Sequence, residues 1–404
     1  MHFTMQRLQF WCSPETAPYI RVCTVSPWDY PELSNSYRPA SVDESHRTPV
    51  DSFFHSIPLF TNLRDFRAYA IVLNKIATQN LRRLPHLTRL DVRMCAADEG
   101  VDSVGYPPLN LSAYKNFNPP SSAWDPWHPL LHPDALRHLE MTCTQKLLSQ
   151  LEKWHPFLHV KTLLLSANAA TVSRTFQVLA KFPATEVLTF TEITDLIEGH
   201  LDVSHVLPNI REYTGPPSLL DVVLPISTLR RISLHQSTPT TVLTRCRHSP
   251  HITSLCVNLT GFNIGILEDL CELFPSLTEF QVVLRFSPPG LITTDEHEHD
   301  RIWKAEPFFE KLISRSSLPH SVRKLAIHWK WADHSRDTNH VPDLPKLKDA
   351  LLSCHPGMKC IWLEGTQFLY FWRKGYTEAQ YRYYKDEFSP DTDWQFLWDT
   401  TPMD

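Results

Sequence analysis

A short apolar pattern that recurs about every 24 residues constrains the fold of this chain more than any other feature. It consists of an apolar residue, two variable residues, a second apolar residue, one variable residue and a third apolar residue, as in Leu87-Leu90-Val92. With a few substitutions it occurs eleven times, and its first positions are Leu63, Leu87, Leu136, Val160, Thr185, Ile210, Leu229, Ile252, Leu277, Val322 and Met358. Most gaps are 23 to 25 residues long, and the gap of 49 is about two units. The pattern predicts one short strand in each unit.

Prolines mark the boundary between a helix and each predicted strand. Proline lies two residues before the first apolar position in six units, at Pro85, Pro183, Pro208, Pro250, Pro275 and Pro356, and three residues before it at Pro133 and Pro319. Proline ends a helix because it lacks the N–H group and clashes with the preceding turn. Apolar residues at helical spacing precede two of these prolines, at Val172, Phe176 and Leu179 and at Ile266, Leu270 and Leu273. Each unit is therefore predicted to be a helix, a proline stop and a strand.

Stacking of such units predicts the fold class. One apolar stripe on a helix and a half-apolar strand cannot close a core alone, so neighbouring units must stack. We predict an α/β fold, an irregular leucine-rich-repeat-like solenoid with parallel strands and with helices on the outer face, because the period lies within the range of such repeats. The Asn or Cys expected eight positions after the first leucine is present only as Asn168 and Cys95. The alternative is a mixed α/β domain whose strands only look repetitive.

Three regions follow from the limits of the repeat. Residues 1–60 are predicted to be an irregular N-terminal segment and a candidate cap, and residues 61–365 the solenoid. Long loops are predicted at 106–135, 287–307 and 328–345, where the period breaks. Residues 366–404 hold 12 aromatic residues and several acidic ones, and we expect an aromatic helix and tail that form a C-terminal cap. The alternative for this last segment is a tail that binds a partner.

Two of the loops contain residues with binding potential. Trp124 and Trp127 lie among seven prolines and are candidates for docking a partner, although they can instead pack on the solenoid. Residues 295–300 are all Asp, Glu or His, which can ligate a divalent metal. No second cluster of matched spacing accompanies them, so a solvated loop is favoured. We therefore predict no metal site and no cofactor.

Composition excludes several classes of function. A net charge of −5 argues against nucleic acid as a partner, and only 10 glycines, none clustered, argue against phosphate cradles and dinucleotide folds. No apolar run reaches the ~20 residues of a membrane span, and residues 1–11 do not resemble a signal peptide. The nine scattered cysteines suit reduced thiols, so we expect an intracellular protein, cytoplasmic or nuclear. Common catalytic motifs are missing, which makes an enzyme with an unrecognised site the least favoured alternative.

Three segments resemble fungal F-box/leucine-rich-repeat proteins. They are P-Y-I-R-V-C-T-V at 18–25, L-P-H-L-T-R-L at 84–90 and L-F-P-S-L-T at 273–278. The resemblance implies that repeats select a substrate, while an N-terminal F-box binds the Skp adaptor of a cullin–RING ubiquitin ligase. No F-box is recognisable here, because the first 60 residues hold seven prolines and little helical periodicity. The Skp adaptor is thus an expected partner only if an F-box lies upstream.

The sequence predicts a non-enzymatic scaffold that binds an unidentified protein on a concave repeat surface. The alternative is the substrate-recognition subunit of a cullin–RING ubiquitin ligase whose F-box is missing or divergent. Side chains between the apolar anchors of a strand point away from the core, and their mixed charges suit a protein ligand. The candidate partner-binding residues are Arg67, Arg89, Asp91, Arg93, His138, Glu140, Arg231, His235, Lys324, His328, Trp362, Trp124 and Trp127. We predict no catalytic residue and no metal ligand.

Overall fold

The chain is a mixed α/β protein that divides into two compact units, Met1–Ile210 and Arg211–Asp404. The computed structural model describes residues 2–26, 44–97, 109–117, 131–168, 171–191, 206–237, 246, 248–260, 265–286, 313, 318–331, 343–365, 368–375, 379–382, 398–399 and 401. Each unit has a mostly parallel sheet joined by short helices. The boundaries that the sequence suggests at residues 60 and 365 stay predictions.

The first unit has a sheet of parallel strands in chain order. The order is β1-β2-β4-β6-β7-β8-β9, and β3 and β5 pair in a small separate sheet. The strands are β1 (Val22–Val25), β2 (Asp65–Tyr69), β3 (Val72–Leu73), β4 (Arg89–Arg93), β5 (Ala96–Ala97), β6 (Ala113–Phe117), β7 (His138–Thr142), β8 (Thr162–Ser166) and β9 (Val187–Thr191). The helices described in this unit are α1 (His2–Trp11), α2 (Glu44–Ser56), α3 (Lys75–Arg82), α4 (Gln145–Leu151) and α5 (Val172–Val178).

The second unit begins with parallel strands and ends with antiparallel ones. Strands β10 to β15 pair in chain order and in parallel, whereas β15, β16 and β17 form antiparallel pairs. The strands are β10 (Glu212–Gly215), β11 (Arg231–Ser237), β12 (Ser254–Thr260), β13 (Glu279–Phe286), β14 (Lys324–Trp331), β15 (Cys360–Glu364), β16 (Phe368–Arg373) and β17 (Ala379–Arg382). The helices described here are α6 (Leu220–Val223), α7 (Gly265–Leu273) and α8 (Leu344–Cys354).

All eleven strands that the repeat predicts are present. Each begins two residues after the first apolar position of its motif, so Leu87 precedes a strand that begins at Arg89. The second and third apolar positions point into the core, where Leu90 and Val92 are each 1% exposed. The proline stops are also present, because α3, α7 and α8 end two or three residues before Pro85, Pro275 and Pro356.

The repeat analysis missed two strands of the sheet, β1 and β6. Strand β6 lies inside the gap of 49 residues and inside the loop predicted at 106–135, so that prediction is wrong for residues 113–117. Its motif carries Asn116 at the third apolar position, where a polar residue hides the pattern. The predicted loop at 328–345 is also too long at both ends, because β14 extends to Trp331 and α8 begins at Leu344. Residues 287–307 lie outside the described residues.

The first 60 residues, predicted to be irregular, contain two helices and a strand. Helix α2 includes Pro49. Because a proline inside a helix is locally destabilising, the sequence pattern argued against a helix here. At the end of α2 the rings of Phe53 and Phe54 are buried, and both pack against Phe66 of the first predicted strand, with centroid distances of 6.2 and 5.9 Å. Burial of two aromatic rings outweighs one proline, and a local pattern does not show it.

The aromatic segment after residue 366, expected to be a helix and tail, instead begins by continuing the sheet, through β16 and β17, and residues 398–399 are helical. The residue types explain this outcome, because aromatic residues favour a pleated strand with neighbours on both faces. Leu369, Tyr370 and Phe371 of β16 are all buried, so both faces of this strand are covered. None of the helices in the described part of the chain combines the length and apolar character that a membrane crossing requires.

A substitution at Gly215 tests how tightly the core of the second unit is packed. The Gly215→Ala change places a Cβ atom against the ring of Tyr213, which is fully buried and donates a hydrogen bond to the Pro216 carbonyl at 3.0 Å. We expect a loss of about 1–3 kcal/mol in the free energy of unfolding, measured with urea, because the ring cannot move away.

The matched control for this prediction is Gly357→Ala. There the added Cβ meets the guanidinium of Arg323, the end of a flexible and partly exposed side chain that can swing aside. The control is expected to stay within about 0.5 kcal/mol of wild type. A loss for Gly215→Ala below about 0.5 kcal/mol would show that the Tyr213 ring is not held in place.

Candidate functional site

The candidate site is the open face of the sheet in the first unit. We define the open face as the side chains of the first, third and fifth residues of each strand, which point away from the apolar core. In β2 the core side takes Phe66 and Ala68, while the open face takes Asp65, Arg67 and Tyr69. Parallel pairing without a register shift places equivalent residues of neighbouring strands side by side.

Charged side chains alternate in sign across four strands of this face. The backbone register places the third residues of the four strands side by side, in the order Arg67, Asp91, Lys115 and Glu140. In the row of first positions the register joins Asp65, Arg89, Ala113 and His138. Six of the candidate residues thus lie on this side of β2, β4 and β7. Asp91 and Glu140 among them are only 8 and 6% exposed, so the expectation that these two are open to a partner is not met. Lys115 was missed because its strand was missed.

Ion pairs hold the side chains of Arg67 and Arg93 on this face. Arg67 donates from Nε and Nη2 to the two carboxylate oxygens of Asp65, at 3.2 and 2.8 Å. Arg93 donates from Nε to Asp91 at 2.8 Å, and its guanidinium lies 5.9 Å from the centre of the Tyr69 ring. The hydrogen bonds that Arg67 donates to Asp65 raise the pKa of Arg67 above its ordinary value.

A third carboxylate joins the pairs on neighbouring strands. Glu140 accepts from Lys115 Nζ at 3.1 Å, and its other oxygen lies 3.9 Å from Arg93 Nη2. The charges are layered as a result. The side chains of Asp65, Asp91 and Glu140 are 12, 12 and 8% exposed, whereas those of Arg67, Arg93 and Lys115 are 44, 36 and 37% exposed. Carboxylates lie beneath, and cations face the solvent.

Two neutral groups complete the face. Burial lowers the pKa of His138, and the nearby charges of Lys115 and Arg89 lower it further against the opposing effect of Glu140. Burial also raises the pKa of Tyr69, helped by the charge of Asp91. At neutral pH His138 therefore carries no charge and Tyr69 keeps its proton, so the arginines, the lysine and the carboxylates define the electrostatics of this face.

In the second unit the candidate residues fall into two groups. Arg231 is exposed and His235 half-buried on β11. Lys324, His328 and Trp362 are only 2, 7 and 7% exposed, so the expectation that they are open to a partner is not met. Trp124 and Trp127 lie outside the described residues.

Trp398 covers two of these three residues, Trp362 and Lys324. Its ring lies 6.2 Å from that of Trp362, in a buried cluster with Ala326, Cys360, Leu369 and Phe371. Lys324 Nζ donates to the Trp398 carbonyl at 2.9 Å and lies 5.7 Å from the centre of its ring. The chain itself therefore covers the corresponding side of the sheet in the second unit. A contact between residues 74 positions apart leaves no signal in a repeat pattern.

Glu279 balances the buried charge of Lys324. Its carboxylate lies 2.9 Å from Lys324 Nζ and accepts from Ser254 Oγ at 2.9 Å and from Arg231 at 3.4 Å. Burial alone raises the pKa of Glu279, but the hydrogen bond and charge of Lys324, with Arg231 and Ser254, lower it below its ordinary value. The carboxylate is therefore ionised at neutral pH.

The histidine of this group is enclosed by polar and aromatic neighbours. His328 lies with Nδ1 3.1 Å from Glu364 Oε2 and with Nε2 3.0 Å from Gln281 Nε2, and its ring meets that of Trp362 edge-on at 4.8 Å. These contacts fix the ring within the unit.

Three thiols of the described residues, those of Cys95, Cys143 and Cys360, are buried. Burial raises the pKa of Cys95, Cys143 and Cys360 to about 12, so these thiols keep their protons at neutral pH. Cys95 Sγ donates to the backbone carbonyls of Ala68 and Arg93, at 3.4 and 3.3 Å, which is a structural role. Across the described ranges no three His, Cys, Asp or Glu side chains are grouped so as to hold a metal ion. The acidic run at 295–300 lies outside those ranges.

No family model matches the chain, and no curated protein matches it in sequence. Among solved structures, the chain is similar to an internalin, InlF of Listeria monocytogenes strain 4b F2365. The identity is 11%, the match covers 77% of this chain and 78% of that chain, and the TM-score is 0.35.

A substitution at Lys324 tests the buried ion pair. The Lys324→Ala change leaves Glu279 buried without its main partner and the Trp398 carbonyl without its donor. We expect the free energy of unfolding at neutral pH to fall by about 3–5 kcal/mol. The control is Lys346→Ala, which removes an exposed lysine of α8 and is expected to cost less than about 0.5 kcal/mol.

The difference between wild type and Lys324→Ala should depend on pH. Because the pKa of Glu279 is lowered in the folded protein, the stability it contributes is complete above the ordinary pKa of Glu and is lost as pH falls through the lowered value. Urea unfolding at neutral pH and below about pH 4 should therefore show a gap that narrows in acid. A gap that widens in acid would contradict the ion pair.

Proposed function

We propose that this chain is a non-enzymatic, leucine-rich-repeat-like scaffold that binds a protein through the open face of its first unit. The observation that carries the proposal is the array of ion-paired side chains on β2, β4, β6 and β7, with its cations turned outward. The sequence repeats about every 24 residues, and each repeat contributes one parallel strand. This supports a leucine-rich-repeat-like solenoid as the framework of the binding face.

Preorganisation makes this face suited to recognition. The side chains extend from paired strands rather than from loops, so their positions are fixed by backbone hydrogen bonds. Ion pairs to buried carboxylates already restrict the long arginine side chains, which reduces the entropy that a partner must overcome. Four neighbouring strands at ~4.8 Å spacing present a surface about 14 Å wide, enough for a segment of a protein partner.

The buried contacts of Trp398 support a second part of the proposal, that residues 366–404 close the end of the second unit. The described residues of this segment cover Trp362 and Lys324 on the open face and extend the sheet through β16 and β17. Binding is accordingly assigned to the first unit. An intracellular location and the ubiquitin-ligase role stay expectations, the first from the cysteines and the second from the resemblance.

A neutralised open face tests the proposed function. The variant carries Asp65→Asn, Arg67→Gln, Asp91→Asn and Arg93→Gln, which remove both charges of each ion pair and so leave no buried charge unpaired within each pair. The readout is quantitative mass spectrometry of proteins retained from a cell extract by the immobilised full chain. We expect specific proteins to be lost from the variant.

The matched control removes one ion pair from the helical side of the same unit. Arg174→Gln with Glu152→Gln breaks an exposed pair between α5 and the end of α4. The control is expected to retain the same proteins as wild type, and thermal melting checks that both variants are folded. Equal retention by wild type, control and open-face variant would refute binding through this face.

A further inference from the structure

The layering of charge on the open face identifies the kind of protein segment it can take. The three carboxylates on β2, β4 and β7 are almost covered, while the ends of Arg67, Arg93 and Lys115 reach solvent. We propose that this face docks an acidic segment of a protein partner, a stretch rich in Asp and Glu. The inference rests on the proposed function and specifies its partner.

The hydrogen bonds that Arg67 already makes leave a carboxylate-binding edge outward. A guanidinium has five N–H groups. Asp65 takes the Nε–H group and one on Nη2, along one side of the fork. The Nη1 end of a side chain that is 44% exposed can then donate to a second carboxylate, with the charge-assisted geometry that makes such pairs strong.

Spacing fits an extended acidic chain. Arg67, Arg93 and Lys115 lie on successive strands and alternate between the third and fifth positions. Their Cα atoms are therefore about 8 Å apart, one strand across and two residues along. Alternate side chains of an extended segment are separated by about 7 Å, within the reach of long cationic side chains. A segment crossing these strands meets a cation at each acidic position.

The same layering disfavours nucleic acid as the occupant. Strands β2, β4, β6 and β7 carry four cations against three carboxylates, so the face has little net charge beyond contact range. Binding of a polyanion depends on a basic surplus that displaces counterions. A carboxylate side chain needs only the short-range donors of one or two cations, which this face supplies.

Defined probes test the inference on the full chain. A labelled peptide of alternating Glu and Gly is titrated with the protein, and fluorescence anisotropy reports binding. The matched probe replaces every Glu by Gln, and a labelled RNA oligonucleotide supplies phosphates. We expect the Glu peptide to bind at least roughly tenfold more tightly than the other two probes.

Two variants connect that binding to the arginines. The neutralised open-face variant should lose roughly tenfold or more in affinity for the Glu peptide, while the Arg174→Gln, Glu152→Gln control keeps it. Arg67→Lys with Arg93→Lys keeps the charges but removes the fork, and should weaken binding severalfold in a folded protein. Unchanged affinity in both open-face variants would overturn the inference.

The outcomes separate this inference from the proposed function. If the Glu and Gln peptides bind alike, or if RNA binds more tightly, the acidic partner is wrong. The scaffold function still stands in that case, provided that proteins from the extract are lost from the neutralised variant. If neither the peptide nor the extract distinguishes the variants, both proposals fail.

Discussion

Parallel pairing of strands without a register shift is the interaction on which the rest of the first unit depends. The carbonyl group that precedes one strand accepts two N–H groups from the start of the next, as Arg64 does from Thr88 and Arg89, both at 2.9 Å. The second unit repeats the arrangement, where the Arg230 carbonyl accepts from Thr253 at 2.9 Å and from Ser254 at 3.1 Å. Each repeat of about 24 residues is thereby aligned with the next repeat in the same unit, and its apolar anchors pack against those of its neighbours.

The same register builds the open face. Because equivalent positions lie side by side, Arg67, Asp91, Lys115 and Glu140 form a row of alternating charge, which no single unit contains. The shorter acidic side chains are covered by the longer basic ones, so a face of mixed sequence presents mainly cations. Sequence alone suggested mixed signs and no preferred ligand, and the depth of each charge supplies that preference.

Periodic elements could be predicted from the sequence, and elements set by distant contacts could not. The eleven strands followed from apolar anchors and prolines, which report local geometry directly. Strand β6 was missed because Asn116 interrupts its pattern, and α2 because its support comes from Phe66 across the chain. On the open face, the positions of Arg67, Asp91 and Glu140 followed from alternation alone.

The burial of Lys324 and Trp362 in the second unit depends on contacts with Trp398. Lys324, His328 and Trp362 satisfy the same alternation, yet the Trp398 ring packs in one buried cluster with Trp362 and the Trp398 carbonyl accepts from Lys324. Alternation assigns a side chain to a face but not to solvent, because it contains no information about what else packs there. The layered charges were missed for a similar reason, since depth depends on which neighbour is longer.

Hydrogen exchange in a Leu255→Ala variant most directly tests the coupling between neighbouring repeats of the second unit. Leu255 is an apolar anchor of β12 and is 2% exposed, so its truncation should cost ~2–5 kcal/mol. The account predicts that amides of β11 and β13 lose protection together with those of β12, because paired strands share one core. Loss of protection confined to β12, with its neighbours unchanged, would contradict the coupled array.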